Sequence, residues 1–251
     1  MISGSLDDLA RRRSLRRWRR VVSDVDRMDP GTLANLRKEA GQERQILDQA
    51  LSRIDSKLTA AARPPAAPGD SDWIWRPEVF TSRLAQPGFA GIASGAPLGE
   101  SAKMFHDCSR SEITLRQTTG RAYAASAPYG LAFDVLQFEG SFLSLVIDLP
   151  PAATEGLTLS HIVHVSLQVQ AEKEIEIFAR LNVKHGPNTE QVVREVDMRH
   201  SSPELAFDLA YTALEERRIE AAWIDIIFGN PAMNRVELTD LVISRHLRAE
   251  M

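Results

Sequence analysis

Two periods divide the chain. Up to about residue 62, apolar residues recur every three to four positions; beyond Trp73 they recur at every second one. In the first region Leu15, Trp18, Val22 and Val25 form one narrow stripe, the spacing of a helix face. Ser5-Leu6-Asp7-Asp8 ahead of it reads as a capping box, a hydroxyl with an acid three residues on. A helix is therefore predicted from there to about Val25. Asp29-Pro30 then restarts the chain, the first residue as a cap and the second as the opening helical position. A second helix is predicted from Pro30 to about Ala62, with Leu36, Ala40, Leu47, Leu51, Ile54 and Leu58 along one side. Gly41 and Glu43 interrupt that stripe, so this helix is expected to pack on a partner or on the first helix, not to be buried all round. Residues 63–72 hold three prolines and a glycine, which oppose helix and sheet alike and mark a linker. The expected organisation is a helical arm over 1–62, a linker over 63–72 and a domain over 73–251.

In that domain the clearest strand is 174–184, where Ile175, Ile177, Ala179, Leu181 and Val183 alternate with mostly charged residues. Val163, Val165, Leu167 and Val169 alternate in the same way, as do Leu143, Leu145, Ile147 and Leu149. Further strands are predicted at 103–108, 112–118, 132–138, 190–198, 204–211, 222–228 and 235–246. About ten short strands separated by Gly, Pro, Asn or Ser favour an antiparallel β-sandwich of jelly-roll type over a βαβ fold. Residues 212–220 are the one place where a short helix is expected, and 229–234 reads as a hairpin loop joining the last two strands.

Composition changes this picture little, but charge does. The net charge is −4. Residues 1–62 carry 13 basic and 9 acidic side chains, and 63–251 carry 17 and 25, so a basic arm precedes an acidic domain. The single cysteine, Cys108, rules out an internal disulfide framework and suits a reducing compartment. With no run of 18 apolar residues and no apolar stretch after the N-terminal arginines, no spanning helix or signal peptide is expected. The expected address is the cytoplasm, with peripheral membrane or particle association left open.

Two stretches carry a resemblance. One is Asp72-Trp73-Ile74-Trp75-Arg76-Pro77 with the small-residue run from Gly91 to Gly99; the other is the closing pair, 223–228 and 236–243. Together they resemble a family of alphaproteobacterial proteins of about this length to which no activity is assigned. The closing pair is also similar to the last two strands of jelly-roll carbohydrate-binding modules, a likeness that covers about a tenth of the chain and implies fold more than function.

The candidate chemistry is sparse. His161 and His164 are three apart, which on a strand places them on opposite faces, and no His-x-His pair offers two ligands on one face. Gly-x-Ser-x-Gly and a phosphate loop are absent. His106 and Cys108 share strand parity, so a thiolate–imidazole pair is one reading and a structural cysteine the other. Glu172, Glu174 and Glu176 read as a solvated sheet face with Arg180 and Lys184, or as half of a glycosidase pair. No cofactor and no metal is implied. Flat rings cover the apolar faces of sugars, and of Trp73, Trp75, Tyr123, Tyr129, Tyr211 and Trp223 the first four are the chosen candidates. Tyr123 and Tyr129 flank an expected loop.

The least ordinary feature is basic. Arg11, Arg12, Arg13, Arg16, Arg17, Arg19 and Arg20 fall within ten positions, enough to contact an anionic membrane surface or an acidic protein. Nucleic acid ranks lower, since no folded nucleic-acid module accompanies the cluster. Self-association through the N-terminal helices stands open. The expected function is a binding or assembly protein without catalysis, glycan as its expected ligand and the arm as its docking device. The alternatives are a carbohydrate-active enzyme using cleft carboxylates, or a decorating or receptor-binding subunit of a phage-like particle.

Overall fold

The structure is a computed structural model that describes residues 6–61, 70–119, 127–200 and 203–248. The chain divides into two compact units, Met1–Leu51 and Ser52–Met251.

The first unit is a helical hairpin. Helix α1 (Leu6–Asp24) passes through a single 3-10 turn, Val25–Arg27, into α2 (Pro30–Ala61), of which the part up to Leu51 belongs to this unit. Asp29 caps α2 as its sequence predicts: its carboxylate accepts from Thr32 N at 3.0 Å and Thr32 Oγ1 at 2.6 Å, which holds its pKa below the usual range. Polar contacts join the helices. Arg17 donates twice to Glu39, at 2.6 and 2.5 Å, and Trp18 Nε1 donates to Glu43 at 2.7 Å. The apolar stripe expected on α1 is not closed over: Leu15, Val22 and Val25 remain exposed, and so do Leu47, Leu51 and Ile54 on α2. Residues 62–69, most of the expected linker, lie outside the described residues.

The second unit is a jelly-roll-like sandwich of thirteen strands among its described residues. In chain order they are β1 (Trp73–Trp75), β2 (Gly88–Ala90), β3 (Ala96–Leu98), β4 (Ala102–His106), β5 (Ile113–Thr119), β6 (Tyr129–Val135) and β7 (Leu143–Asp148). Then come β8 (His161–Ala171), β9 (Glu176–His185), β10 (Asn188–Glu195), β11 (Glu204–Asp208), β12 (Ile219–Gly229) and β13 (Asn234–Leu247). A seven-stranded sheet runs β11-β8-β13-β6-β5-β2, with β1 also on β13; a six-stranded sheet runs β10-β9-β12-β7-β4-β3. All pairings are antiparallel. The inward residues foreseen on β7, β8 and β9, among them Leu145, Leu167 and Leu181, are buried between the sheets. Phe133 of β6 meets Phe228 of β12 edge to face at 4.8 Å across that core. Each such side chain contributes about 1.5–3 kcal/mol of transfer free energy.

All ten strands predicted from alternation are present. The three that period alone missed, β1, β2 and β3, have three residues each, too few to show a period. Around β3, Gly91, Gly95 and Gly99 all have φ near +80°, so the small-residue run is a set of left-handed turns that favour glycine. Two expectations are corrected. Residues 212–220 form no α-helix: Leu214 is the only buried residue before the chain makes one 3-10 turn at Glu216–Arg218 and enters β12 at Ile219. Nor do β12 and β13 form a hairpin, since they lie in different sheets. The connection 229–234, with Asn230 and Met233 at positive φ, carries the chain over the end of the sandwich so that Phe228 and Val236 both enter the core.

Segment 72–76 is tied to β13 by charge. Arg76 donates to both carboxylate oxygens of Asp240, at 2.8 and 3.0 Å, with both side chains nearly buried. Asp240 sits where the β13 register shifts against β8.

Candidate binding face on the six-stranded sheet

Alternation that sends Leu145, Leu181 and Ile224 inward sends their neighbours outward, and the register aligns these into rows. Phe105, Ser144, Ile227 and Phe178 stand side by side across β4, β7, β12 and β9. The next row is Lys103, Val146, Asp225 and Arg180, and the third is Asp148, Trp223, Asn182 and Gln191. Phe142, just before β7, adds an exposed ring. Of these, Phe105, Phe142, Ser144, Val146, Arg180, Trp223, Asp225 and Ile227 line a recess of about 460 Å³.

A polar network underlies the rings. Arg180 Nε and Nη2 donate to Asp225 Oδ2 at 2.8 and 2.6 Å, and Asn182 Nδ2 donates to the same oxygen at 3.1 Å. Gln191 Nε2 donates to Asn182 Oδ1 at 3.0 Å. Asp225 is 3% exposed and Asn182 0%, so their polar atoms depend on one another for partners. None of these bonds uses Asp225 Oδ1 or Arg180 Nη1. The other charges beside the recess are also paired: Lys103 with Asp148 at 2.8 Å, and Lys184 with Glu220 at 2.6 Å.

Two carboxylates fix the rim. Asp107 accepts from Ser141 N at 2.7 Å, Ser141 Oγ at 2.6 Å and Phe142 N at 3.2 Å, bonds that lower its pKa. Glu139 accepts from Cys108 Sγ at 2.9 Å, Arg110 N at 3.0 Å and Ser109 Oγ at 2.8 Å, and its pKa falls to about 2. Gly140 lies between them, where a Cβ would collide with Asp107 Oδ1. The Cys108 thiol thus serves the loop that carries Phe142. His106 turns the other way, with Nε2 2.9 Å from Ile92 O, so the two do not pair.

The residues chosen from sequence lie elsewhere. Trp73 and Trp75 stack at 6.3 Å and pack against the core from β1. Tyr129, expected to flank a loop as an exposed ring, opens β6 and is buried. Tyr123 lies outside the described residues. Tyr211 is exposed beneath Arg248. Of the arginines, Arg13, Arg16, Arg17 and Arg20 line one recess on α1 with Asp24 and Met28, a spacing of three, four and seven that defines one helix face. Arg11, Arg12 and Arg19 are exposed as well. Among the described residues no group of three or more His, Cys, Asp or Glu is placed to hold a metal ion, and no helix is long and apolar enough to cross a membrane.

Glu172, Glu174, Glu176, Glu195 and Asp197 border a recess of about 1240 Å³ together with Lys173, Arg199 and His200. Asp197 accepts from Arg199 at 2.7 and 2.8 Å, which holds its pKa low, the opposite of what a general acid needs.

Trp223 was one of six aromatics open to choice, while Phe105, Phe142, Arg180 and Asp225 were missed. A signal for the face itself was present in 222–228, where the outward positions hold Trp223 and Ile227 beside Asp225, more apolar area than a solvated outer face requires.

No curated protein matches the chain in sequence. Among solved structures, the family 11 carbohydrate-binding module of Clostridium thermocellum aligns with a TM-score of 0.40 and 10% identity, over 66% of this chain and 100% of the module. The C-terminal family 22 module of Xyn10B from the same organism aligns at 0.37 and 9%, over 58% and 86%. The enzymatically active domain of tailspike protein 4 from bacteriophage CBA120 aligns at 0.41 and 6%, over 63% of this chain but only 21% of the tailspike chain. At these scores the ligands and activities of those proteins remain theirs alone. Over its whole length, residues 1–251, the chain matches and belongs to DUF6478, a family of unknown function.

Proposed function

We propose that this protein binds glycan on the outward face of its six-stranded sheet, and that its basic arm docks it on an acidic partner or anionic surface. The observation that carries the reading is one of chemistry at one place. Trp223, Phe105 and Phe142 surround the Arg180–Asp225 pair, so flat rings stand beside a fixed donor and acceptor. A sugar ring presents the matching pattern: apolar C–H faces for the rings and hydroxyls for the polar pair. Trp223 stands on a paired strand and Asp107 holds the Phe142 backbone N–H, so little backbone freedom is lost on binding.

A glycan array probed with the full chain and with Trp223→Ala tests this. The expected outcome is binding that the substitution weakens by at least about tenfold, the scale of an interface anchor. A wild-type chain that binds no glycan overturns the reading. For the arm, replacing the seven arginines with Gln is expected to reduce co-sedimentation with anionic vesicles or acidic polymers, and wild-type association should fade as salt rises. A wild-type chain that ignores both at low salt removes the docking role.

A further inference from the structure

Resting on the glycan reading, we infer that the ligand is a neutral glycan segment, and that uronic-acid polymers are excluded from this face. The recess holds one cation and one anion, Arg180 and Asp225, and they neutralise each other at 2.6 Å. Lys103 and Lys184 beside it are taken by Asp148 and Glu220. A sugar carboxylate therefore finds no spare positive charge here. Drawing Arg180 away from Asp225 would strand a carboxylate whose side chain is 5% exposed, which is costly. One strand outward, Glu195 of β10 stands opposite Phe178 and adds negative charge to the border. What the pair leaves for a ligand is Arg180 Nη1 as donor and Asp225 Oδ1 as acceptor. A hydroxyl is both acceptor and donor, so two adjacent hydroxyls satisfy the two groups without any net charge. The lining spans four strands, β4 to β9; at about 4.8 Å per strand interval that is about 14 Å, which suits a stretch of chain more than one ring.

The test is calorimetric titration of the full chain with two panels: neutral oligosaccharides (β-glucan, galactan and xylan fragments) and oligogalacturonate with oligoalginate. Only binding abolished by Trp223→Ala counts as belonging to this face, which sets aside any contact of polyanions with the arm. Phe142→Ala is the second variant, since its ring is exposed and lies outside the buried core. The expected result is counted binding to at least one neutral oligosaccharide, unchanged within about twofold between roughly 0.05 and 0.5 M NaCl, and none to the uronates. Counted binding to uronates overturns the neutral assignment and leaves glycan binding standing. No counted binding in either panel overturns both.

Discussion

The two outward faces of the sandwich obey the same alternation yet carry different side chains. On the seven-stranded sheet the outward positions of β8 are Ile162, His164, Ser166, Gln168 and Gln170, and those facing them on β13 include Glu237, Val242 and Ser244. Asp240, also outward on β13, forms a nearly buried ion pair with Arg76; the other charges form exposed pairs, Arg116–Asp134 at 3.0 Å, Arg235–Asp134 at 3.9 Å and Arg235–Glu237 at 3.7 Å. Away from the buried outward positions Asp240, Val242 and Ser244, that face is polar and wetted. On the six-stranded sheet the same positions hold three aromatic rings around a buried carboxylate, Asp225, paired with the half-exposed Arg180. Folding does not need that arrangement, since the core between the sheets is already closed by residues of opposite parity. An outer face that departs from solvation without contributing to the core is where a ligand is to be sought.

Stability should separate the faces most strongly. Asp225→Ala leaves Arg180 without the carboxylate that takes two of its bonds, and Asn182 Nδ2 with backbone acceptors alone, and is expected to cost about 2 kcal/mol. Asp134→Ala on the other sheet, where the partners are 42–45% exposed, should cost less than about 1 kcal/mol. Urea denaturation of the two variants gives both values; equal losses would erase the distinction. A smaller effect concerns the rim. Gly140→Ala pushes on Asp107 and so on the loop that presents Phe142. It should weaken glycan binding severalfold while lowering stability by about 1–2 kcal/mol at most, to be checked by calorimetry beside a thermal melt.

The smallest effect belongs to the seven-stranded face and to pH. His164 and His246 stack there at 4.8 Å. Burial, then the neighbouring His246, lowers the His164 pKa from its ordinary 6.5, against the pull of Glu204 and Asp70. The unfolded chain thus takes up a proton first as pH falls. Stability is full above about 6.5 and declines below it, through the depressed folded value. Between pH 7.5 and 5.5 the wild type should lose more stability than His164→Asn, a window lying above the carboxylate titrations such as that of Glu139. Parallel slopes would place the pH dependence elsewhere.

Period was enough to read most of this fold. Ile175 to Val183 and Val163 to Val169 announced their strands and their buried faces, because a sheet with one closed side must alternate. Strands β1 to β3 were hidden by their shortness, and the hairpin expected at 229–234 failed because local turn chemistry does not reveal which sheet the next strand joins. The site was less legible for the same reason. Trp223, Arg180 and Phe105 are 43 to 118 positions apart from one another in the chain, and only the pairing of β4, β7, β12 and β9 makes them neighbours. Trp73 and Trp75, conspicuous in sequence, lie instead on β1, half-buried against the core. An aromatic residue's type does not state which side of a strand it will occupy; register does.

The most direct measurement is a heteronuclear NMR titration of the isotope-labelled full chain with the neutral oligosaccharide that binds best on the array. The expected shifts cluster on Phe105, Phe142, Val146, Arg180, Trp223 and Asp225, with Ser166, Gln168 and Glu237 of the opposite face unmoved. Shifts confined to the seven-stranded face, or to the acidic recess around Glu195 and Asp197, would contradict the assignment of binding to the six-stranded sheet.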